Sequence, residues 1–140
     1  MKRHTAYLSL GSNIEPEANI RSAMETLAAD FNPVSFSPVY RCPAVGFEGG
    51  DFINLAACIE TEKSPLELRH YLAELENRHQ RDRSAPRWSD RTLDIDILLY
   101  DDLYLVSPVL EIPRKEILTA AHVLKPLADL APDLVHPVEY

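Results

Sequence analysis

The sequence predicts an α+β fold with one antiparallel β-sheet, helices packed on one face of the sheet, and an added C-terminal helix. Three observations support this fold class. Segments with the apolar period of strands and of helices follow one another in the order β-α-β-β-α-β. A proline stands in the first turn of each helix in that series, where its missing N–H has no partner to lose. The length of 140 residues suits one domain, residues 1–140. This order is the ferredoxin-like pattern.

The first part of the chain is predicted to form a strand, a helix and a second strand. Residues 6–10 alternate between apolar and polar side chains, which predicts a strand, and residues 11–13 (Gly-Ser-Asn) predict the turn that closes it. Apolar residues at helical spacing predict a helix over residues 16–27. Residues 34–41 predict a strand that Pro38 confines to a sheet edge or a bulge.

The middle of the chain contains the clearest helix signal. Residues 52–60 are strongly apolar and predict a strand. Ser64 is followed by proline and then by glutamate at the third helical position, which predicts a capped helix ending near Arg78. Residues 78–90 are mostly charged or polar and predict a long loop, and residues 93–100 predict the next strand.

The C-terminal part has weaker signals. A short apolar stretch lies near residues 103–106. A final helix is predicted from about residue 120 to residue 130, where Pro132 stops it.

Composition and charge narrow the possible functions. The chain carries a formal net charge of -8, whereas sequence-independent binding of nucleic acid requires a broad basic face. It has no apolar run near the ~20 residues of a membrane span, and its N-terminal apolar stretch is too short for a secretory signal. The two cysteines lack the spacing of a zinc site. We therefore expect a cytoplasmic monomer that binds small molecules, with no nucleic-acid or membrane partner.

Two aspartates stand one residue apart in the predicted strand 93–100. Because alternate residues of a strand face the same side, Asp94 and Asp96 are expected to point together, about 7 Å apart. Two carboxylates this close repel each other, and a divalent cation such as Mg²⁺ relieves the repulsion. The alternative for an isolated pair is the solvated face of a half-exposed strand.

Five arginines precede this strand within fourteen residues: Arg78, Arg81, Arg83, Arg87 and Arg91. Arginine forms paired hydrogen bonds with phosphate oxygens, and a local positive field on an acidic chain attracts small anions. The alternative is a solvated loop whose arginines pair with nearby acids. The chain has no GxxxxGK[ST] motif, so a P-loop is excluded. Arginines and aspartates together predict a site for a metal-bound polyphosphate.

Two further residues have both a structural and a functional interpretation. Trp88 is the one tryptophan, and its ring either packs in the core or stacks on a flat heterocyclic ligand. Gly11 is interpreted as an ordinary turn glycine.

The chain resembles the 6-hydroxymethyl-7,8-dihydropterin pyrophosphokinase family over essentially its whole length. The resemblance rests on LGSN after the first strand, on SPVYRCPAVG, on DFINLA, and above all on RWSDRTLDIDILLYDD. The last is similar to the family signature RWGPRTLDIDILLY. The resemblance implies a ferredoxin-like fold and transfer of diphosphate from ATP to the hydroxymethyl group of a pterin, in folate biosynthesis.

The resemblance also implies which residues form the site. The implied catalytic residues are Arg81, Arg91, Asp94 and Asp96, and the two aspartates would hold two Mg²⁺ ions with ATP. The residues implied to bind ATP are Glu76, Arg83, Arg87, Ile97, Arg114 and Lys115. The residues implied to bind the pterin are Cys42, Pro43, Val45, Phe52, Asn54, Trp88 and His122. Closure of the arginine loop would exclude water.

The chain departs from the family pattern P-H-x-x-x-x-x-R-x-F before the last helix. Arg114, Ala120 and His122 replace the histidine, the arginine and the pterin-stacking phenylalanine of that pattern. The first expectation is the active pyrophosphokinase. An altered paralogue that binds Mg-ATP and a different pterin-like ligand, with weak or no activity, is the alternative. A ferredoxin-like module that binds RNA is a third, and the acidic charge disfavours it.

Overall fold

The computed structural model describes residues 2–44, 47–79 and 92–137. Its elements, in chain order, are β1 (His4–Ser12), α1 (Pro16–Asp30), β2 (Val34–Phe36), β3 (Tyr40–Cys42), β4 (Phe52–Thr61), α2 (Pro65–Arg78), β5 (Asp94–Tyr100), β6 (Leu105–Val106), β7 (Glu111–Ile112), α3 (Glu116–Thr119) and α4 (Ala121–Leu130). No helix within the described ranges is both long and apolar enough to cross a bilayer.

The main sheet is antiparallel and has β1 and β4 at its centre. β5 pairs with β1 at one edge, and β2 and β3 both pair with β4 at the other. Alternate residues of β1, Leu8 and Leu10, are buried with Leu27 of α1 and Leu72 of α2 in one core. This arrangement confirms the predicted α+β, ferredoxin-like fold with two helices on one face of the sheet.

The added C-terminal helix packs on the opposite face of the sheet. Val123 and Leu127 of α4 form a second apolar cluster with Ala56 of β4 and with Leu98 and Leu99 of β5. Alternate residues of a strand share a face, so β4 and β5 continue this face beyond the apolar cluster. There, their side chains on this face are polar. The polar part of this face contains the candidate site.

The predicted strand at residues 34–41 is two strands separated by a break at Pro38. The Ser37 N–H donates to the Ala56 carbonyl at 2.8 Å, and the Ala56 N–H donates to the Ser37 hydroxyl at 2.8 Å. The hydroxyl replaces a backbone acceptor, so the central strand keeps its hydrogen bonds across the break. The expectation that Pro38 lies at an edge or irregularity is confirmed, and the expectation of one continuous strand is wrong.

The turn predicted at residues 11–13 is also wrong. β1 continues through Ser12, because Gly11 and Ser12 pair with Asn54 and Ile53 of β4. The chain turns afterwards, and Glu15 takes a left-handed conformation with φ of 41° before α1. Pairing with a long central strand outweighed the local preference of glycine, serine and asparagine for a turn.

The cap predicted for α2 is present. The Glu67 N–H donates to the Ser64 hydroxyl at 3.2 Å, and the Ser64 N–H donates to the Glu67 carboxylate at 2.9 Å. These reciprocal bonds satisfy N–H groups that a helix start leaves without partners. The cap fixes the beginning of the helix whose other end leads toward the arginine segment.

The C-terminal elements match the prediction in part. The expected final helix is α4, but the preceding helix α3 was not predicted, because four residues are too few to show a period. The apolar stretch at residues 103–106 contains β6, which pairs with β7 in a separate two-stranded sheet. This hairpin leads the chain from β5 to Arg114.

Candidate active site

The register of the sheet places several predicted site residues in one row. Asp94 of β5 pairs with Gly11 of β1, and Gly11 pairs with Asn54 of β4. Asn54 in turn pairs with Tyr40 of β3. The row crosses the sheet from the predicted metal ligands to the predicted pterin residues.

Asp94 and Asp96 lie on the same face of β5, as predicted. Ile95 and Ile97 between and beyond them are buried in the opposite core. Burial raises the pKa of Asp96, the negative charge of Asp94 raises it further, and Arg114 opposes the shift without cancelling it. The two carboxylates therefore form a destabilised like-charge pair, which is the electrostatic condition that a bound cation relieves.

Two carboxylates on one strand suit Mg²⁺ better than a metal bound by protein ligands alone. Among the described residues, no group of three or more His, Cys, Asp or Glu side chains is arranged to hold a metal ion. Mg²⁺ usually takes one or two carboxylates and completes its shell with water and phosphate oxygens. Asp94 and Asp96 have the chemistry for this role.

Glu76 links α2 to β5, the strand that carries the predicted metal ligands. The Ile95 N–H donates to Glu76 Oε2 at 2.8 Å, and the Glu76 residue is only 5% exposed. The bond reaches β5 between the two aspartates, so Glu76 fixes the strand that carries them. Its negative charge is one of the influences that raise the pKa of Asp96.

A cleft of about 240 Å³ opens at the β5 edge of the sheet, between α2 and the residues before α3. Its wall combines carboxylates, apolar side chains and two arginines, among them Glu76, Asp94, Asp96, Leu72, Ile97, Val109, Leu110, Arg69 and Arg114. Apolar surface beside paired carboxylates and arginines suits a nucleotide, which has a flat base at one end and phosphates at the other.

Arg114 lies beside one member of the aspartate pair, Asp96. Its Nε lies 3.7 Å from Asp96 Oδ2 and 3.7 Å from Glu116 Oε2. The Arg114 backbone N–H donates to the Leu98 carbonyl at 3.0 Å, which attaches the residue to β5. The neighbouring Lys115 is exposed. Glu116 was not among the predicted site residues, and its place two residues after Arg114 was the available signal.

The predicted pterin residues of β3 and β4 lie together beside Gly11. Cys42 pairs with Phe52, and Asn54 is 5% exposed. A Cβ atom on Gly11 would lie 2.8 Å from Asn54 Oδ1 and 3.8 Å from the Phe52 ring. Gly11 is therefore a site of close approach within a strand, and its interpretation as a turn glycine is wrong.

One aromatic residue near this pocket was not predicted. The Phe47 ring meets the Phe52 ring edge to face, with 6.3 Å between the centroids. The signal in the sequence was an aromatic residue shortly before Phe52 in a segment rich in turn residues. Pro43 lies between Cys42 and Phe47 and is exposed.

His122 stands near the aspartate pair at the beginning of α4. Burial lowers the pKa of His122, while the negative charges of Glu116 and Asp94 act in the opposite direction. The imidazole is therefore close enough to both carboxylates to respond to their charges. The expectation that His122 binds the pterin stays a prediction.

Six predicted site residues lie outside the described residues, namely Val45, Arg81, Arg83, Arg87, Trp88 and Arg91. The same holds for the predicted loop beyond His79.

Comparison with known proteins gives a consistent result. A sequence model of the family 7,8-dihydro-6-hydroxymethylpterin-pyrophosphokinase (HPPK) matches residues 7–132. The 2-amino-4-hydroxy-6-hydroxymethyldihydropteridine pyrophosphokinase of Haemophilus influenzae is 38% identical over 137 residues, which cover 95% of this chain and 85% of the relative. The proteins of that name from Pseudomonas aeruginosa and Methylorubrum extorquens are 38% and 40% identical, covering 94% and 93% of this chain and 83% and 84% of the relatives. The chain belongs to the 7,8-dihydro-6-hydroxymethylpterin-pyrophosphokinase family.

Proposed function

We propose that the chain transfers the terminal diphosphate of ATP to the hydroxymethyl group of 6-hydroxymethyl-7,8-dihydropterin, with release of AMP, in folate biosynthesis. The observation that carries this proposal is the placement of Asp94 and Asp96 on one face of β5, beside a cleft that also contains Arg114, in a chain of this family. The names of the relatives supply the reaction, and the site contains the groups that it needs.

On the nucleotide side, the protein positions phosphates and balances their charge. Asp94 and Asp96 would hold two Mg²⁺ ions, whose chemistry is to neutralise negative charge on the ATP phosphates. Glu76 keeps β5 in place through its bond to the Ile95 N–H. Arg114 contributes from the cleft, and Arg81, Arg83, Arg87 and Arg91 contribute from the segment before β5. Phosphoryl transfer needs little covalent chemistry from the protein beyond this positioning.

On the acceptor side, β1, β3 and β4 form the pterin pocket. The Asn54 amide offers both a donor and an acceptor to the polar edge of the pterin ring. Phe52, with Phe47 against it, provides apolar surface for the ring. Asn54 lies in the same row of the sheet as Asp94, which supports an acceptor site where the hydroxymethyl group would lie near the ATP phosphates.

The direct test is incubation of the protein with Mg-ATP and 6-hydroxymethyl-7,8-dihydropterin, followed by chromatography of the nucleotides and pterins. We expect AMP and the pterin diphosphate in equal amounts, and no AMP when the acceptor is omitted. Formation of ADP, or no product from a protein that is folded, would contradict the proposed function.

Gly11→Ala is expected to weaken acceptor binding selectively. A Cβ atom 2.8 Å from Asn54 Oδ1 forces the amide to move, so its hydrogen bonds to the pterin are lost or bent. We expect the KM for the pterin to rise about tenfold, the equivalent of one hydrogen bond, with little change in the KM for ATP.

Gly50→Ala is the matched control for this substitution. A Cβ atom there would lie 3.5 Å from the Asn13 carbonyl oxygen, an ordinary contact, so steady-state kinetics should match the parent. Equal KM values for the pterin in the Gly11 and Gly50 variants would remove Asn54 from the acceptor site.

We further propose that the protein works as a single-domain monomer in the cytoplasm, without nucleic-acid or membrane partners. The net charge of -8 supports the absence of nucleic-acid and membrane partners, because an acidic surface repels nucleic acid and anionic lipid.

A further inference from the structure

The Arg114 guanidinium is shared between two carboxylates. Its Nε lies 3.7 Å from an oxygen of Asp96 and 3.7 Å from an oxygen of Glu116. Both distances exceed the roughly 2.8 Å of a close charged hydrogen bond, so neither pairing is fully formed. The backbone on either side is held, because the Arg114 N–H donates to Leu98 and the Arg114 carbonyl accepts from the Ile117 N–H. A rotation of the side chain is therefore enough to favour one partner over the other.

One carboxylate oxygen of Glu116 lacks a hydrogen bond in this arrangement. Its Oε1 is buried and has no hydrogen-bond partner within the described part of the chain. Its side chain is 24% exposed, so water compensates only in part. A buried carboxylate oxygen without a donor is unfavourable, and the Arg114 guanidinium, 3.7 Å from the other oxygen of Glu116, has several N–H donors.

A cation on the aspartate pair changes which partner Arg114 prefers. Asp96 then has a stronger counterion, and the positive charge of that ion repels the guanidinium. Glu116 gains no such counterion and keeps an unused acceptor position at Oε1. A guanidinium that turns to Glu116 can form two parallel bonds with it and keeps further N–H groups free.

We propose that Glu116 is a positioning residue for Arg114: when Mg²⁺ occupies Asp94 and Asp96, Arg114 pairs with Glu116 and presents its remaining N–H groups to the nucleotide phosphates in the cleft. This inference rests on the proposed function, because it takes the ligand to be Mg-ATP. It assigns a role to an acidic residue beside a polyanion, where simple charge repulsion predicts an unfavourable effect.

The direction of the change in Mg-nucleotide affinity separates simple charge repulsion from a positioning role. If Glu116 acts only by its charge, Glu116→Gln removes a repulsion and tightens binding of Mg-nucleotide. If Glu116 positions Arg114, the same substitution weakens binding, because a neutral amide cannot hold the guanidinium against the metal. We expect roughly tenfold weaker binding, within the range measured for coupled charged neighbours.

The experiment is isothermal titration of the full chain with α,β-methylene-ATP, in the presence of Mg²⁺ and again with EDTA. The proteins are the parent, Glu116→Gln, Arg114→Ala and the double variant. With Mg²⁺, Glu116→Gln should lower the affinity only when Arg114 is present. The effects of the two substitutions on the binding free energy should therefore not be additive. With EDTA, the loss should disappear, because Asp96 then remains available to hold Arg114.

Glu111→Gln serves as the matched control. Glu111 is also a partly buried acid close in sequence to Arg114, but its carboxylate accepts from the Lys115 N–H at 3.3 Å and has no ion pair with Arg114. The Glu111→Gln variant should bind Mg-nucleotide at least as tightly as the parent. Thermal unfolding checks that each variant is folded, and Glu116→Asp, which keeps the charge, should recover part of the affinity.

The possible failures are distinguishable. A parent protein that does not bind the Mg-nucleotide would contradict the proposed function itself. A parent that binds, with Glu116→Gln binding equally or more tightly, would overturn the positioning role alone. Equal losses in the parent and Arg114→Ala backgrounds would show a general structural effect of Glu116 and would also overturn it.

Discussion

Asp96→Asn is expected to reduce AMP formation by roughly 10³-fold or more at saturating substrates, because loss of a metal ligand removes charge neutralisation from the transferring phosphates. The amide has nearly the shape of the carboxylate and leaves β5 paired with β1. The rate is measured by AMP production, and Mg²⁺-dependent binding of an ATP analogue is measured separately. Turnover like that of the parent at saturating Mg²⁺ would show that Asp96 is not a metal ligand.

Stability of the same variant gives a readout that does not depend on activity. The raised pKa of Asp96 means that the folded protein binds the proton more tightly than the unfolded chain. Protonation of Asp96 therefore contributes to the free energy of unfolding at low pH. This contribution is lost as the pH rises through the folded-state pKa of Asp96. Without metal, Asp96→Asn should therefore unfold at a higher temperature than the parent at about pH 8, with a smaller difference at about pH 4.

Asp102→Asn is the control for both measurements. Asp102 is an exposed acid just after β5, outside the cleft. Its replacement removes one negative charge from the same region of the chain, and we expect neither the rate of AMP formation nor its Mg²⁺ dependence to change. A comparable loss in this variant would mean that general electrostatics, not metal coordination, explains the effect at Asp96.

Arg91→Ala is expected to lower the rate of diphosphate transfer by roughly 10²- to 10³-fold, while affinity for the Mg-nucleotide falls only a few-fold. Arg91 lies outside the described residues, and the expectation comes from its place three residues before Asp94 in the family signature. A charge that meets the phosphates as they transfer acts mainly on the rate. Single-turnover kinetics measures the transfer step, and titration with an ATP analogue measures binding.

Two further variants serve as comparisons for Arg91→Ala. Arg91→Lys keeps the charge without the paired donors, so it should recover binding more fully than rate. Arg21→Ala removes an exposed arginine of α1 and should resemble the parent. If Arg91→Ala lost affinity and rate by the same factor, Arg91 would have a simple binding role.

Local patterns in the sequence were enough to predict the main elements and the shared face of the two aspartates of β5. The cap of α2 depends on residues three apart, and the shared face of Asp94 and Asp96 depends on the period of two in a strand. Each of these signals lies within a few residues, so the chain reveals them without its fold. The family signature extended them to a reaction.

Tertiary structure decided the features that depend on distant neighbours. Gly11 stands in β1 because Asn54, far along the chain, needs the space of its missing side chain. The break at Pro38 keeps its hydrogen bonds only because Ser37 meets Ala56 of another strand.

The proposed role of Glu116 also depends on tertiary structure, because Glu116 shares Arg114 with Asp96 of β5. Arg114 and Glu116 stand two residues apart, but nothing in that spacing shows that β5 brings a third charge to the same guanidinium. Sheet register and the packing of α3 determine these distances, and both result from contacts between segments far apart in the chain. The sequence by itself therefore determined the fold class and the strand on which two aspartates share a face, whereas only the tertiary structure determined which charges and side chains meet there.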